Sequence, residues 1–178
     1  MQNLSPHLDG RWAKARLLRN YLLLSLAVAL VWGSALLWAI GHYRVAGNET
    51  DSLRDKFFIV ALAKAGQPPA PVVRGGLLAF HVGAGVRHYP VGMVFIKRVA
   101  GVPGDRIEWR GDAVYVAGKR VGKAKHRNRF GEVMGWTPAG TIPAGHYFVA
   151  TPHPDSYDSR YAEVGLVQAG QIAGEVLW

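Results

Sequence analysis

The stretch Phe95-Ile96-Lys97-Arg98-Val99-Ala100-Gly101-Val102-Pro103-Gly104-Asp105 runs an apolar strand up to a lysine and closes on a Pro-Gly turn. Phe, Ile and Val favour a pleated, half-buried backbone, and Pro-Gly marks where it stops. A lysine at the end of such a strand has two readings. In water it is one of a pair of solvated cations with Arg98. Removed from water, its ammonium loses favour against the neutral amine, and the side chain becomes a base at neutral pH.

Working outward, the flanking segments are also short and β-like. Phe57–Leu62 is an apolar run of strand length, followed by Gly66-Gln67-Pro68-Pro69-Ala70-Pro71, whose prolines exclude a helix interior or central strand. Gly75–Val82 and Val91–Ile96 predict two buried strands separated by a turn at Gly83 and Gly85. From Arg106 to Val121, apolar and polar residues alternate around Gly111-Asp112, with a second turn at Gly118-Lys119, as in a β-meander. Thr141–Ala150 and Gln171–Trp178 supply further strands, and nothing beyond Ile40 sustains a 3.6-residue period. The expected fold is mainly β, in short strands, behind a single N-terminal helix.

That helix is Tyr21–Ile40, an uncharged run long enough to span about 30 Å, the thickness of a bilayer core. A cleavable signal peptide would have a shorter apolar region ending at small residues, whereas this run exits through Trp38, His42 and Tyr43. Arg11, Lys14, Arg16 and Arg19 precede it, and Glu49, Asp51 and Asp55 follow. The excess of cations before the helix predicts a cytoplasmic segment 1–20, a transmembrane helix 21–40 in contact with the lipid bilayer, and an exported domain 41–178.

The chain has no cysteine, which excludes disulfides, a thiol nucleophile and Cys-ligated metal. His81 and His88, like His146 and His153, lie seven apart without acidic partners at ligand spacing, so no metal and no cofactor is expected. Of the formal +9 charge, six cations fall between Lys119 and Arg129. A solvated loop is the usual meaning of such a run, an anionic partner the other; export makes nucleic acid an unexpected one. Trp109, Trp136 and Trp178 read as core or membrane-surface anchors.

A second polar segment, Asp155-Ser156-Tyr157-Asp158-Ser159-Arg160-Tyr161, follows the strand ending at Ala150. By itself it reads as a turn with an incidental Asp158–Arg160 ion pair. Asn48-Glu49-Thr50-Asp51-Ser52-Leu53-Arg54, close behind the anchor, reads alone as a polar linker, or as a glycosylation sequon in a eukaryotic host.

In order and spacing, these pieces resemble the type I signal peptidase family (peptidase family S26), serine proteases with a Ser-Lys dyad. Ile96 through Asp105 matches the family's apolar-Lys-Arg-Val-x-Gly-x-Pro-Gly-Asp motif, and Ser156 to Arg160 resembles its Ser-x-Asp-Ser-Arg box. The usual Ser-Met-x-Pro-Thr nucleophile box is absent. Asn48 to Leu53 is instead similar to the Asn-x-Thr-x-Ser-Leu-Pro pattern of the conjugative-transfer, TraF-type branch. Arg54 replaces that pattern's proline, and Gly75-Gly76 stands where the family often has Gly-Asp.

The resemblance implies a signal-peptidase-like periplasmic β domain on a single-pass inner-membrane anchor. It makes Ser52 the nucleophile and Lys97 its general base. The Ser52 backbone N–H and the Thr50 hydroxyl would form the oxyanion hole; Ser156 would orient the lysine, and Asp158 and Arg160 would form a structural salt bridge. It implies an exported precursor as partner, a conjugative pilin in this branch, cut after small residues and in some members cyclised through the acyl-enzyme. The alternative is an inactive bitopic component of a conjugation or secretion apparatus, which the altered box around Ser52 would suit.

Overall fold

The computed structural model describes residues 6–47, 53, 55, 57–63 and 71–177, with side chains from residue 12 onward. The chain divides into two units, Met1–His42 and Tyr43–Trp178.

The first unit is the helix α1, Pro6–His42. It starts well ahead of the apolar run, because Ala13, Lys14, Ala15, Arg16 and Leu17 are strong helix formers and proline fits the first helical position. Within Trp12–His42 the most apolar 18-residue stretch has a mean hydropathy of 2.2, and the helix is long and apolar enough to cross a membrane. Its apolar residues point all round; Leu22, Trp32 and Leu37 are each more than 60% exposed within the chain. A helix apolar on every face needs an apolar surrounding, which a bilayer supplies.

Among its described residues, the regular structure of the second unit is β apart from one short 3₁₀ turn. Its strands are β1 (Tyr43–Gly47), β2 (Phe57–Leu62), β3 (Leu77–His81), β4 (Val94–Gly101), β5 (Arg106–Arg110), β6 (Ala113–Val116), β7 (Lys119–Lys123), β8 (Gly140–Thr141), β9 (His146–Ala150), β10 (Val167–Gln168) and β11 (Ile172–Val176), the 3₁₀ turn Ala169–Gln171 lying before β11. Seven form one sheet in the order β1-β2-β11-β3-β4-β9-β10, and four form another in the order β7-β6-β5-β8. Every pairing is antiparallel.

The period-2 patterns find their place. Phe58 and Val60 of β2 are buried while Phe57 and Ile59 are exposed. The expected meander is β5, β6 and β7, and its second turn centres on Ala117 and Gly118 rather than on Gly118-Lys119. Both have positive φ, 49° and 73°, as a type I′ hairpin turn requires. The expected strand at Val91 begins later, at Val94, because Pro90 to Met93 close a turn, with Met93 N donating to Pro90 O at 3.1 Å and Gly92 at φ 81°. β1 has no counterpart among the expected strands. The proline-rich 66–70 segment and Trp178 lie outside the described residues.

Two facts about β4 place the site. Lys97 is not the strand's last residue. The ladder continues to Gly101, between β3 (Leu78 opposite Lys97) and β9 (Val99 opposite Val149). Alternation therefore turns Phe95, Lys97 and Val99 to one face and leaves Arg98 exposed, its guanidinium donating to Gly75 O. At the far end, Gly101 sits just past a register shift, where a Cβ would come within 2.6 Å of both Val116 and Ile142. Only glycine admits that approach.

The main core packs Leu78, Phe80, Val82, Val86, Val99, Val149 and Val167. A second joins the sheets through Ile107, Val114, Val116, Ile142, Phe148 and Ala150. Each buried Val, Leu, Ile or Phe among them contributes about 1.5–3 kcal/mol relative to exposure. The tail of the opening stretch is a turn with Pro103 and Gly104 (φ 89°) at its centre and Asp105 N donating to Val102 O at 3.1 Å. The Asp105 carboxylate accepts from Val102 N at 2.7 Å and pairs with Arg74 at 2.6 Å, and the arginine's hydrogen bond holds it below the usual carboxylate range.

Candidate active site

Lys97 projects from the middle of β4 and is only 6% exposed. Its Nζ donates to Ser156 Oγ at 3.0 Å and lies 5.7 Å from the centre of the Phe95 ring. Burial pushes the amine below the ordinary lysine value; the Asp158 carboxylate opposes that shift and the Arg160 guanidinium adds to it. A buried amine beside a hydroxyl has the chemistry of a general base.

Ser156 is held from behind. Its N–H donates to His153 O at 3.2 Å, and its carbonyl accepts from Arg160 Nη2 at 3.0 Å. The Asp158–Arg160 pair, an incidental ion pair when the segment is read by itself and a structural salt bridge by the resemblance, is fully buried, at 0% and 1% exposure. It is bidentate, Nε to Oδ1 at 2.8 Å and Nη2 to Oδ2 at 2.9 Å. Burial alone would lower the guanidinium, but the carboxylate more than offsets it, and Arg160 stays above its ordinary value. Its remaining donors reach His153 O at 3.0 Å and Lys123 O at 2.8 Å. One side chain thus ties the 153–158 loop to the end of β7.

Ser159, to which sequence reasoning gave no role, staples the same loop to β9. Val149 N donates to its Oγ at 3.0 Å, and its own N–H returns to Val149 O at 2.9 Å. Its place inside the Ser-x-Asp-Ser-Arg box was the available signal.

Lys97 and Ser156 line a cavity of about 570 Å³, within the range of pockets that take a small ligand or a short peptide segment. Phe58, Met93, Phe95, Ile96 and Met134 make it apolar, and Tyr89, Tyr157 and Tyr161 add aromatic rings. Tyr157 donates to the Glu163 carboxylate; burial first, and then that bond, raise its phenol well above the usual range. Ala46 and Gly47 of the unexpected edge strand also reach the cavity, as does the loop from Lys125 to Phe130.

The structure therefore brings together Lys97, Ser156, Asp158 and Arg160. Ser52 and Thr50 lie outside the described residues. Among the described residues no cluster of three or more His, Asp or Glu could hold a metal. The histidines take separate partners: His81 meets Gly92 O and His88 meets Glu132. Trp109 and Trp136 stack on each other at 4.7 Å.

The chain is similar to several known proteins. The signal peptidase IB of Staphylococcus aureus (strain COL) is 28% identical over 177 residues, covering 86% of this chain and 85% of its own. The signal peptidase I of Bacillus caldolyticus is 28% identical over 152 residues, with 79% of each chain covered. A solved signal peptidase I from Enterococcus faecalis V583 is 27% identical and covers 60% of this chain and 97% of its own, at a TM-score of 0.38. The family model for "Signal peptidase, peptidase S26" matches residues 17–178, the larger part of the first unit and all of the second. The chain belongs to that family of serine proteases.

Proposed function

We propose that this chain is a membrane-anchored Ser-Lys dyad signal peptidase. Signal peptidases act on exported proteins, and we assign this one an exported precursor, a conjugative pilin of the kind the TraF-type pattern at Asn48–Leu53 suggests. Residues 1–20 are cytoplasmic, 21–40 cross the inner membrane and 41–178 form the periplasmic peptidase domain.

The observation that carries this reading is the buried Lys97, its pKa lowered, bonded to Ser156 at the wall of an apolar cavity. A serine hydroxyl is too weak an acid to attack an amide unaided. Neutral Lys97 takes the proton of Ser52 as its oxygen attacks the carbonyl carbon of the cut bond. The tetrahedral oxyanion accepts hydrogen bonds from Ser52 N–H and the Thr50 hydroxyl. Collapse breaks the C–N bond, Lys97 returns the proton to the leaving amine, and an acyl-enzyme remains. Water resolves it to a linear product; the precursor's own N-terminal amine would resolve it to a cyclic one.

Mass spectrometry of a co-expressed pilin precursor tests the assignment with wild-type, Ser52→Ala and Lys97→Ala chains, each first checked for folding and insertion. Loss of processing in both variants is expected. A product one water lighter than the linear mature chain identifies cyclisation. Processing that survives both substitutions removes Ser52 and Lys97 as catalysts, and a wild-type chain inert on every precursor offered favours the inactive assembly component.

A further inference from the structure

Four cations, Arg87, Lys125, Arg127 and Arg129, line the cavity together with His88. Three of these residues have acidic partners. Arg87 pairs with Glu163 and His88 with Glu132, at 2.6 and 2.8 Å, and Lys125 pairs with Asp155. Arg127 and Arg129 do not. Arg127 donates to Gly131 O and Arg129 lies 4.8 Å over the Phe130 ring, so neither guanidinium meets a carboxylate among the described residues.

The loop that presents them is built. Asn128 Oδ1 accepts from the N–H groups of Phe130 and Glu132 at 2.9 and 3.0 Å, Gly131 N closes on Asn128 O, and Asn128 Nδ2 reaches Glu132 at 2.6 Å. Trp136 Nε1 donates to Lys125 O at 3.2 Å and Met134 N to His126 O at 2.9 Å, so both ends of the loop are fixed. Two exposed arginines on this loop line the cavity that Lys97 also lines. An arginine fork is matched by a carboxylate.

We propose that Arg127 and Arg129 are specificity-determining residues that read an Asp or Glu in the precursor within a few residues of the cut. The inference rests on the cavity being the peptide site of the proposed peptidase. It selects among precursors, with the charge of the flanking residue deciding which are taken first.

Binding tests this apart from cleavage. The probes are fluorescein-labelled nine-residue peptides with a central Ala-Xaa-Ala and a single Glu, or its neutral twin Gln, at each remaining position. Anisotropy is read with the full Ser52→Ala chain in neutral detergent. At one or more positions Glu is expected to bind about 5- to 20-fold more tightly than Gln at low salt, the strength of one to two partly exposed charge pairs. The ratio is expected to fall toward one in Arg127→Gln/Arg129→Gln and in 1 M salt, where the Debye length is about 3 Å. Arg127→Lys/Arg129→Lys should keep most of it. Lys119→Gln/Arg120→Gln, which removes two exposed charges from β7 outside the cavity lining, should keep all of it.

No Glu preference at any position overturns the proposal, as does a preference that survives Arg127→Gln/Arg129→Gln or is lost equally in Lys119→Gln/Arg120→Gln. So does an effect of the arginines seen only on phosphatidylglycerol vesicles and equal for Glu and Gln peptides, which would assign them to anionic lipid. Failure of the peptidase reading shows separately, as no cleavage of any peptide by the wild-type chain, and leaves the binding ratio measurable.

Discussion

Lys97 and Arg160 are both cations buried to within a few per cent, and they come from adjoining parts of the domain, yet the protein treats them oppositely. Arg160 receives a bidentate carboxylate two residues away and three backbone carbonyls, and the pair keeps its charge against the cost of burial. Lys97 is set against a hydroxyl and a phenyl ring, and burial outweighs the more distant pull of Asp158. A guanidinium, which no protein deprotonates, is used to hold a loop; an amine, which burial can neutralise, is set where a proton must move. The same low dielectric serves architecture in one case and reactivity in the other.

The sharpest way to break this contrast is to exchange the cations. Lys97→Arg keeps length and charge but cannot supply a neutral base, so kcat/KM for precursor cleavage is expected to fall about 10⁴-fold, the upper range for a lost general base, as in Lys97→Ala. Cleavage assays of folded, inserted chain check this. Next in size is Asp158→Ala, which leaves Arg160 as an unpaired buried charge and should cost about 3–5 kcal/mol in urea unfolding of the detergent-solubilised chain. Asp158→Leu/Arg160→Met, which removes both charges, should cost less than the single change.

A smaller effect is expected from Ser156→Ala. Loss of one hydrogen bond to an ionisable amine is worth about 1.5–3 kcal/mol, so kcat should drop about 10- to 100-fold. Because the ammonium form also loses its acceptor, the acid limb of the pH–rate profile should move to lower pH. Smallest is a stability slope. The folded-state pKa of Lys97 lies below its unfolded value, so between the two the unfolded chain binds more protons and stability rises with pH. Below the folded pKa the full cost of burying the charge remains. The slope is at most about 1.4 kcal/mol per pH unit, and Lys97→Met should remove it from a pH series of urea midpoints.

How much of this was legible in the sequence differs by element. The alternation of apolar and polar residues from Arg106 to Val121 showed the meander, and the Pro143-Ala144-Gly145 turn into an apolar run showed the strand His146–Ala150, whose Phe148, Val149 and Ala150 are all buried. Tyr43–Gly47 showed no such pattern, because an edge strand paired only with β2 is exposed along most of its length. Lys97-Arg98 read as the end of a strand, since two adjacent cations look solvated; the fold sends them to opposite faces and carries the strand onward to Gly101. Lys97 and the Ser156–Arg160 loop were legible as motifs, each within a short window. The rest of the cavity wall was not, because Tyr89 and Arg127 come from separate loops that only the fold brings together.

Gly101 shows what that assembly demands. A methyl group there would collide with Val116 and Ile142, so the strand bearing the lysine could not stay seated against the smaller sheet. A genetic screen scored only for lost processing would therefore return position 101 beside position 97. The two classes of allele would separate on temperature: conditional at 101, where the fault is seating, and absolute at 97, where it is chemistry.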